Sequence, residues 1–197
     1  MNRGLTNGMK SETVEIQTSF SQATEEDIRI LLQQCSGRKF DARRLLGIAR
    51  RCRFGKPQVI LCNPLLTDTP FPTLYWLTCP FLDRLCGQLE SGGAVSAMET
   101  FLHDRAEEWF SYHQHYAALR LRLLGQERSR RLKAENERAW HHLVSGGVGG
   151  IEYAPGHVAV KCLHLQVGTW LGMGEHPAQS WLQDQVTPLE CDGGLCE

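Results

Sequence analysis

The stretch that decides the fold runs from Cys52 to Pro80 and reads Cys-Arg-Phe-Gly-Lys-Pro-Gln-Val-Ile-Leu-Cys-Asn-Pro-Leu-Leu-Thr-Asp-Thr-Pro-Phe-Pro-Thr-Leu-Tyr-Trp-Leu-Thr-Cys-Pro. It holds five of the eight prolines and three of the eight cysteines. Two short apolar runs, Val59–Leu61 and Leu74–Leu77, are closely bounded by turn residues, which is typical of buried strands. The prolines between the runs stiffen the connection because each fixes its own φ. The stretch therefore predicts two strands of a small, rigid sheet that carries cysteines.

The flanking residues predict one more strand and several helices. Leu46–Arg53 is expected to be a strand that returns through the turn Phe54–Pro57 as a hairpin. Helical patterns predict a helix that begins at Thr24, one after Cys79-Pro80, a long one over 95–123, an arginine-rich one over 126–143 and one around Leu163–Leu171. The sequence thus predicts an α+β fold, with a small antiparallel sheet over about residues 46–78 covered by four or five helices. His113, on the apolar seam of the long helix, is expected to be a hydrogen-bonded core histidine.

Composition and charge bound the domain organisation. The 197 residues, with a net charge of -1, suffice for one α+β domain, which we expect over residues 23–182. Residues 1–22 are polar and aperiodic, which predicts a disordered tail. Residues 183–197 form an acidic tail with two cysteines, and we expect removal of residues 184–197 to leave folding intact.

The sequence also predicts a cytoplasmic chain that does not enter a membrane. No apolar run approaches the roughly 18 residues that a membrane span needs, and no apolar segment follows a basic start as in a secretory signal. The eight cysteines of a cytosolic protein are more often free, metal-bound or redox-active than paired in disulfides.

Two cysteines are predicted to lie at helix N-termini. Cys79 precedes a proline that suits the first helical position, so we expect Cys79 to be the N-cap. Cys162 is expected in the first turn of its helix, beside Lys161. The unpaired backbone N–H groups and the helix dipole lower the pKa of a thiol at such a position. Cys162 and His164 can serve one site only where residues 161–164 are extended or irregular, because residues two apart in a helix point in opposite directions.

Two cysteine-centred functions are compatible with these residues. Cys52, Cys79, Cys162 and His164 would form a tetrahedral site for zinc, or would hold an iron–sulfur cluster, if the fold brings them together. Alternatively, one thiol, Cys79 or Cys162, is a nucleophile or redox centre that is activated by His164, Lys161 or a helix end. The sequence names no substrate and does not decide whether the protein is an enzyme.

A third possibility is a surface that binds an anionic ligand, either nucleic acid or polyphosphate. Of the 21 Lys and Arg residues, eight fall between Arg38 and Lys56 and seven between Arg120 and Arg138. Arginine forks suit bidentate contact with phosphate. The candidate residues are Arg50, Arg51, Arg128, Arg130 and Arg131.

Several motifs of the chain are specific enough to point to one family. The longest are Pro70–Pro80 (Pro-Phe-Pro-Thr-Leu-Tyr-Trp-Leu-Thr-Cys-Pro) and Val160–His164 (Val-Lys-Cys-Leu-His). Shorter ones are Ala49–Cys52, Phe54–Pro57 and Leu89–Gly93 (Leu-Glu-Ser-Gly-Gly). Together they resemble an uncharacterised bacterial family, domain of unknown function 501. The resemblance covers about residues 25–177 and implies a cytoplasmic bacterial protein, but no reaction or cofactor.

Overall fold

A three-stranded antiparallel sheet forms the centre of the structure, a computed structural model that describes residues 19–193 and Cys196. Strand β2 lies between β1 and β5, and a short two-stranded sheet of β3 and β4 follows β2. The strands are β1 (Leu45–Arg51), β2 (Pro57–Cys62), β3 (Leu65–Leu66), β4 (Thr69–Pro70) and β5 (Tyr75–Leu77). The predicted α+β class and the antiparallel sheet are confirmed.

Strand β2 is buried on both faces because its side chains alternate between two cores. Val59 and Leu61 belong to the main core, whereas Ile60 and Cys62 pack in a second cluster with Leu31. Successive side chains of a strand point to opposite faces, so a strand covered on both sides is apolar without alternation. Helices must therefore lie on both faces of this sheet.

Eight α-helices are found in the described residues, rather than four or five. They are α1 (Glu25–Gln34), α2 (Pro80–Ser91), α3 (Ala94–His103), α4 (Ala106–Leu124), α5 (Gln126–Glu135), α6 (Glu137–Ser145), α7 (Leu163–Met173) and α8 (Gln179–Gln185). The number is higher because the two longest predicted helices are each divided into two and because residues 179–185 form a further helix, α8. Asp104 and Arg105 separate α3 from α4, and the Asn136 side chain accepts a hydrogen bond from the Ala139 N–H at 3.0 Å and so begins α6. No helix among the described residues is long and apolar enough to cross a membrane.

Helix α1 begins at Thr24, as predicted, and its buried face includes a carboxylate. The Thr24 and Asp27 side chains form a capping box, and Asp27 is buried with Leu31 while Leu32 is 56% exposed. The cause is Arg51 on β1, whose guanidinium donates two hydrogen bonds, of 2.6 and 2.8 Å, to the Asp27 carboxylate. This ion pair holds the pKa of Asp27 well below its usual range and ties α1 to the sheet.

The chain enters this domain along the outer edge of β1. Ser21 forms two backbone hydrogen bonds with Ile48, of 2.8 and 3.0 Å, as an isolated antiparallel bridge. The Phe20 ring lies so close to Gly47 that a Cβ there would be 2.4 Å from its Cδ2 atom. Of the predicted disordered tail, residues 1–18 lie outside the described residues.

Helix α7 is the central helix of the main core and packs directly on β5. Gly168 and Gly172 lie one turn apart on the side that faces the strand. A Cβ at Gly168 would be 3.1 Å from the Leu77 nitrogen, and one at Gly172 would be 2.2 Å from the Tyr75 ring. The two glycines therefore allow the close approach, and this packing places the N-terminus of α7 beside α2.

The segment after α8 packs against the domain, although the sequence predicts an acidic tail from residue 183 onward. Val186 is fully buried and Leu189 packs against the main core. The Gln58 side chain donates a hydrogen bond of 2.9 Å to the Leu189 carbonyl. Residues 186–189 thus contribute apolar surface to the core.

Candidate metal centre

The turn that precedes α7 brings Cys162 and His164 to the same place. Lys161 has a φ of 72°, in the left-handed region that residues other than glycine rarely adopt. Cys162 is extended and is the N-cap of α7, so the helix begins one residue later than predicted. Residues 161 and 162 are therefore not helical, which meets the condition for Cys162 and His164 to serve one site.

Glu90 completes the group from the end of α2. No side chain of its own turn caps α7, and Glu90 Oε1 takes this role by accepting hydrogen bonds from the Leu163 N–H at 2.6 Å and the His164 N–H at 3.4 Å. The same oxygen lies 2.9 Å from His164 Nδ1. A carboxylate here is stabilised by the positive end of the helix dipole.

These three residues form a cluster that could hold a metal ion. One ligand atom each from Glu90, Cys162 and His164 lies within 4.8 Å of the other two. We call this group the Glu–Cys–His cluster. Glu90 was missed because it is 72 positions from Cys162, although it lies within a motif that carried the family resemblance. The one sequence signal was the absence of a capping residue before Leu163.

Both ring nitrogens of His164 face oxygen acceptors. Nδ1 is bound to Glu90, and Nε2 lies 3.0 Å from the backbone carbonyl oxygen of Asp83 and 3.6 Å from its carboxylate. An imidazole has two N–H donors only when it is doubly protonated. Both nitrogens therefore have an oxygen neighbour within hydrogen-bond distance, and no hydrogen bond joins His164 to the Cys162 thiol.

Burial, rather than the helix end, decides the thiol pKa values. Cys79 is the N-cap of α2, as predicted, but burial raises the pKa of its thiol to about 11 despite the nearby N–H groups of Leu82 and Phe81. Burial also raises the pKa of Cys162, and the Glu90 charge adds to the increase. The N–H groups at the two helix ends lower these pKa values as expected, but burial outweighs them because placing a thiolate in an apolar environment costs more.

A cleft of about 210 Å³ opens beside the cluster. Its lining combines the cluster residues Cys162 and His164 with an aromatic and apolar wall from β5 and the preceding loop, and with two cations. The lining residues are Arg38, Phe71, Thr73, Tyr75, Trp76, Leu77, Lys161, Cys162, His164 and Leu165.

The two cations of the cleft differ in how firmly they are held. Arg38 donates to the Asp83 carboxylate at 3.0 Å and to the Leu77 carbonyl at 3.1 Å. Lys161 is exposed and donates one hydrogen bond of 3.0 Å, to the Gly149 carbonyl. Lys161 is therefore the cation of the cleft that can turn most easily toward a ligand.

Cys52 and Cys79, the other predicted ligands, do not belong to the cluster. Cys52 lies in the turn between β1 and β2, where its N–H donates to the Lys56 carbonyl, and Cys79 begins α2. Among the described residues, the single group of three or more donor atoms within 4.8 Å is the Glu–Cys–His cluster.

Most of the arginines proposed for anion binding are engaged within the protein. Arg51 is paired with Asp27, Arg50 donates to the Gln58 side chain at 3.1 Å, and Arg128 donates to the Leu65 carbonyl. Arg131 pairs with Glu135 on the same helix at 3.1 Å, whereas Arg130 is exposed. These contacts give no support to a polyanion surface.

The structure is thus an α+β fold in which Cys79 and Cys162 begin two core helices and His164 lies in the first turn of the second. The chain belongs to the family described as Protein of unknown function (DUF501), whose sequence model matches residues 48–184. The match confirms the resemblance in its motifs. None of the curated proteins and none of the solved structures matches the chain significantly.

Proposed function

We propose that this protein binds a divalent transition metal ion, zinc by its donor set, at Glu90, Cys162 and His164. The observation that carries the proposal is the convergence of one oxygen, one sulfur and one nitrogen donor within 4.8 Å at the N-terminus of α7. Zinc accepts carboxylate, thiolate and imidazole ligands together. A single thiol makes an iron–sulfur cluster a poor match, since such clusters are held by several cysteine thiolates.

The cluster supplies three ligands, which leaves one position of a tetrahedral ion for another molecule. Three protein ligands with an open fourth position are typical of catalytic zinc, whereas structural sites are closed by four. The cleft of about 210 Å³ lies on this side and is lined by Tyr75, Trp76 and Lys161. The proposal is therefore an open zinc site that receives a small ligand. The cytoplasmic bacterial setting that the resemblance implies belongs to the same proposal.

The alternative of a reactive thiol has less support. Burial raises the pKa of Cys162, and both nitrogens of His164 already face other acceptors. A nucleophilic thiol needs a base within reach or a lowered pKa. A bound metal ion removes this difficulty because a coordinated thiol is deprotonated outright.

The proposal is tested by titrating metal-free, reduced protein with Zn²⁺ against a chelator of known affinity. Replacing a ligand, as in Glu90→Gln or His164→Ala, should weaken binding by more than the roughly 10–100-fold that loss of an outer-shell partner costs. Binding of Co²⁺ to the same protein should give a thiolate charge-transfer band that is lost in Cys162→Ser.

Glu99→Gln is the matched control. Glu99 also accepts a backbone hydrogen bond beside the α7 N-terminus, from the Val160 N–H at 3.0 Å, but it is not in the cluster. This variant should bind Zn²⁺ as the original protein does. Equal Zn²⁺ affinity in Glu90→Gln, His164→Ala and the original chain would refute the proposal. Rapid alkylation of Cys162 at neutral pH in the metal-free protein would favour the reactive thiol instead.

A further inference from the structure

The cleft beside the Glu–Cys–His cluster has two kinds of wall. One is apolar and aromatic: the rings of Phe71 and Trp76 lie with their centroids 6.2 Å apart, and Leu77 lines the cleft beside them. The other is cationic and carries Arg38 and Lys161. At about 210 Å³ the cleft is smaller than the roughly 300–1,000 Å³ of pockets for drug-sized ligands. The cleft therefore suits a small molecule with an apolar body and a charged end.

The positive charge of the cleft comes mainly from Lys161. None of the described residues that line the cleft carries a carboxylate. Arg38 donates to the Asp83 carboxylate at 3.0 Å, so its charge is already compensated. Within the described part of the chain, Lys161 forms no ion pair, and its ammonium group donates to the uncharged Gly149 carbonyl at 3.0 Å. A negatively charged ligand is therefore the natural partner of Lys161.

The backbone at Lys161 gives a second reason to assign a role to this side chain. Its φ of 72° lies in the left-handed region, which glycine adopts without strain. Residues held in such conformations cluster at ligand sites. The Gly149 carbonyl that accepts from Lys161 belongs to a loop fixed to the core, because the Val148 N–H donates to His113 Nδ1 at 3.0 Å. The ammonium group is thus held at the cleft by a well-anchored loop.

The charge of the ligand follows from the zinc-loaded site, and to this extent the inference rests on the proposed function. The carboxylate of Glu90 and the thiolate of Cys162 balance the two positive charges of the ion, and a neutral His164 adds none. The open position of the ion then lies beside the uncompensated charge of Lys161. A ligand with one negative charge matches this arrangement.

A carboxylate fits this site better than a phosphate. Phosphate groups bind the free N–H groups at helix N-termini. At α7 the Leu163 and His164 N–H groups already donate to Glu90 Oε1, at 2.6 and 3.4 Å. The Arg38 guanidinium, which could contact a phosphate with two donors, is engaged by Asp83 and by backbone carbonyls. One ammonium group remains, which suffices for a carboxylate.

We propose that the cleft binds a small organic carboxylate as the ligand of the zinc site. Its apolar or aromatic body packs against Phe71 and Trp76, and its carboxylate pairs with the Lys161 ammonium group beside the open position of the ion. Zinc accepts carboxylate oxygens, so the same group of the ligand satisfies both partners. Lys161 is then the residue that selects a negatively charged ligand over a neutral one.

The test compares benzoate, which has a ring and a single carboxylate, with benzamide, a neutral molecule of the same shape. In calorimetric titrations of the zinc-loaded protein, benzoate should bind about 10–100-fold more tightly, the range expected for a hydrogen bond to a charged group. Lys161→Met should reduce benzoate affinity to that of benzamide, whereas Lys161→Arg, which keeps the charge, should retain most of the preference. Lys133→Met, at an exposed lysine on α5, is the control and should bind benzoate normally.

Each other outcome has a definite meaning. Absence of benzoate binding, equal affinity for benzoate and benzamide, or undiminished benzoate binding in Lys161→Met would overturn the inference. Tighter binding of phenyl phosphate than of benzoate would also overturn it and would indicate a phosphate ligand. Zinc binding without a preference for benzoate refutes this inference alone. Benzoate binding that depends on Lys161, in a chain that binds no zinc, supports the carboxylate site and refutes the proposed function.

Discussion

His113 shows how burial fixes the protonation state of a single residue. Its side chain is fully buried, and Nδ1 accepts a hydrogen bond from the Val148 N–H at 3.0 Å, so the ring is neutral. Burial, with a smaller effect of the Arg120 charge, lowers the pKa of His113 to about 4. The expectation of a hydrogen-bonded core histidine is confirmed.

This residue should make the protein sensitive to mild acid. Because the unfolded chain binds a proton near pH 6.5 and the folded one only near pH 4, His113 stabilises the fold fully above pH 6.5 and loses this contribution as the pH falls. His113→Gln, which keeps an acceptor, should reduce the fall in unfolding free energy between pH 6.5 and 4 by on the order of 3 kcal/mol. Urea denaturation at several pH values measures it. His103→Gln, at an exposed histidine, is the control and should leave the change of unfolding free energy with pH as it is in the original protein. If His113→Gln also leaves it unchanged, the prediction is contradicted.

At the scale of elements, the contact between α7 and β5 depends on glycine. Gly172→Ala would place a methyl group 2.2 Å from the Tyr75 ring, and overpacking of this kind costs about 1–3 kcal/mol. Gly87→Ala is the control on α2, where a Cβ meets nothing within 4 Å, and it should stabilise the protein by about 0.5–1 kcal/mol through helix propensity. Thermal unfolding of the two variants should therefore shift in opposite directions. A Gly172→Ala variant that melts at or above the temperature of the original protein would contradict the prediction.

Element type could be predicted from the sequence because it depends on local periodicity and turn residues. Local signals of this type predicted the strands around residues 57–62 and 75–77 and the N-cap at Cys79. The break at Asn136 was missed because the helical pattern continues on both sides of a single capping residue. Glu90 could not be predicted as a ligand because its role arises only when α2 and α7 pack together.

For the molecule as a whole, the C-terminus belongs to the folded core more than its composition suggests. The acidic, glycine-containing sequence has no periodicity from which to predict that Val186 is fully buried. One apolar residue can fill a core position without leaving any pattern, because packing is decided by distant residues.

A chain that ends at Gln185 should therefore be less stable, in contrast to the expectation that the tail is dispensable. Loss of Val186 alone removes the burial of a side chain worth about 1.5–3 kcal/mol. Each kcal/mol corresponds to about 2–4 °C in Tm for a protein of this size. A chain that ends at Cys191 keeps Val186 and Leu189 and is the control. Melting curves with a chelator present should separate the two, and identical curves would show that residues 186–191 add no stability.

The bridge between Ser21 and Ile48 determines where a stable fragment of this protein can begin. Strand β1 is at the edge of its sheet, and exposed edges are templates for pairing with other chains. Residues 20–21 shield that edge, yet they precede the family match, which begins at Ile48. A fragment cut at the family boundary would lose both this shield and the Asp27 partner of Arg51. The family match thus begins after the residues that cover the edge of β1, so a fragment defined by the match alone would expose that edge.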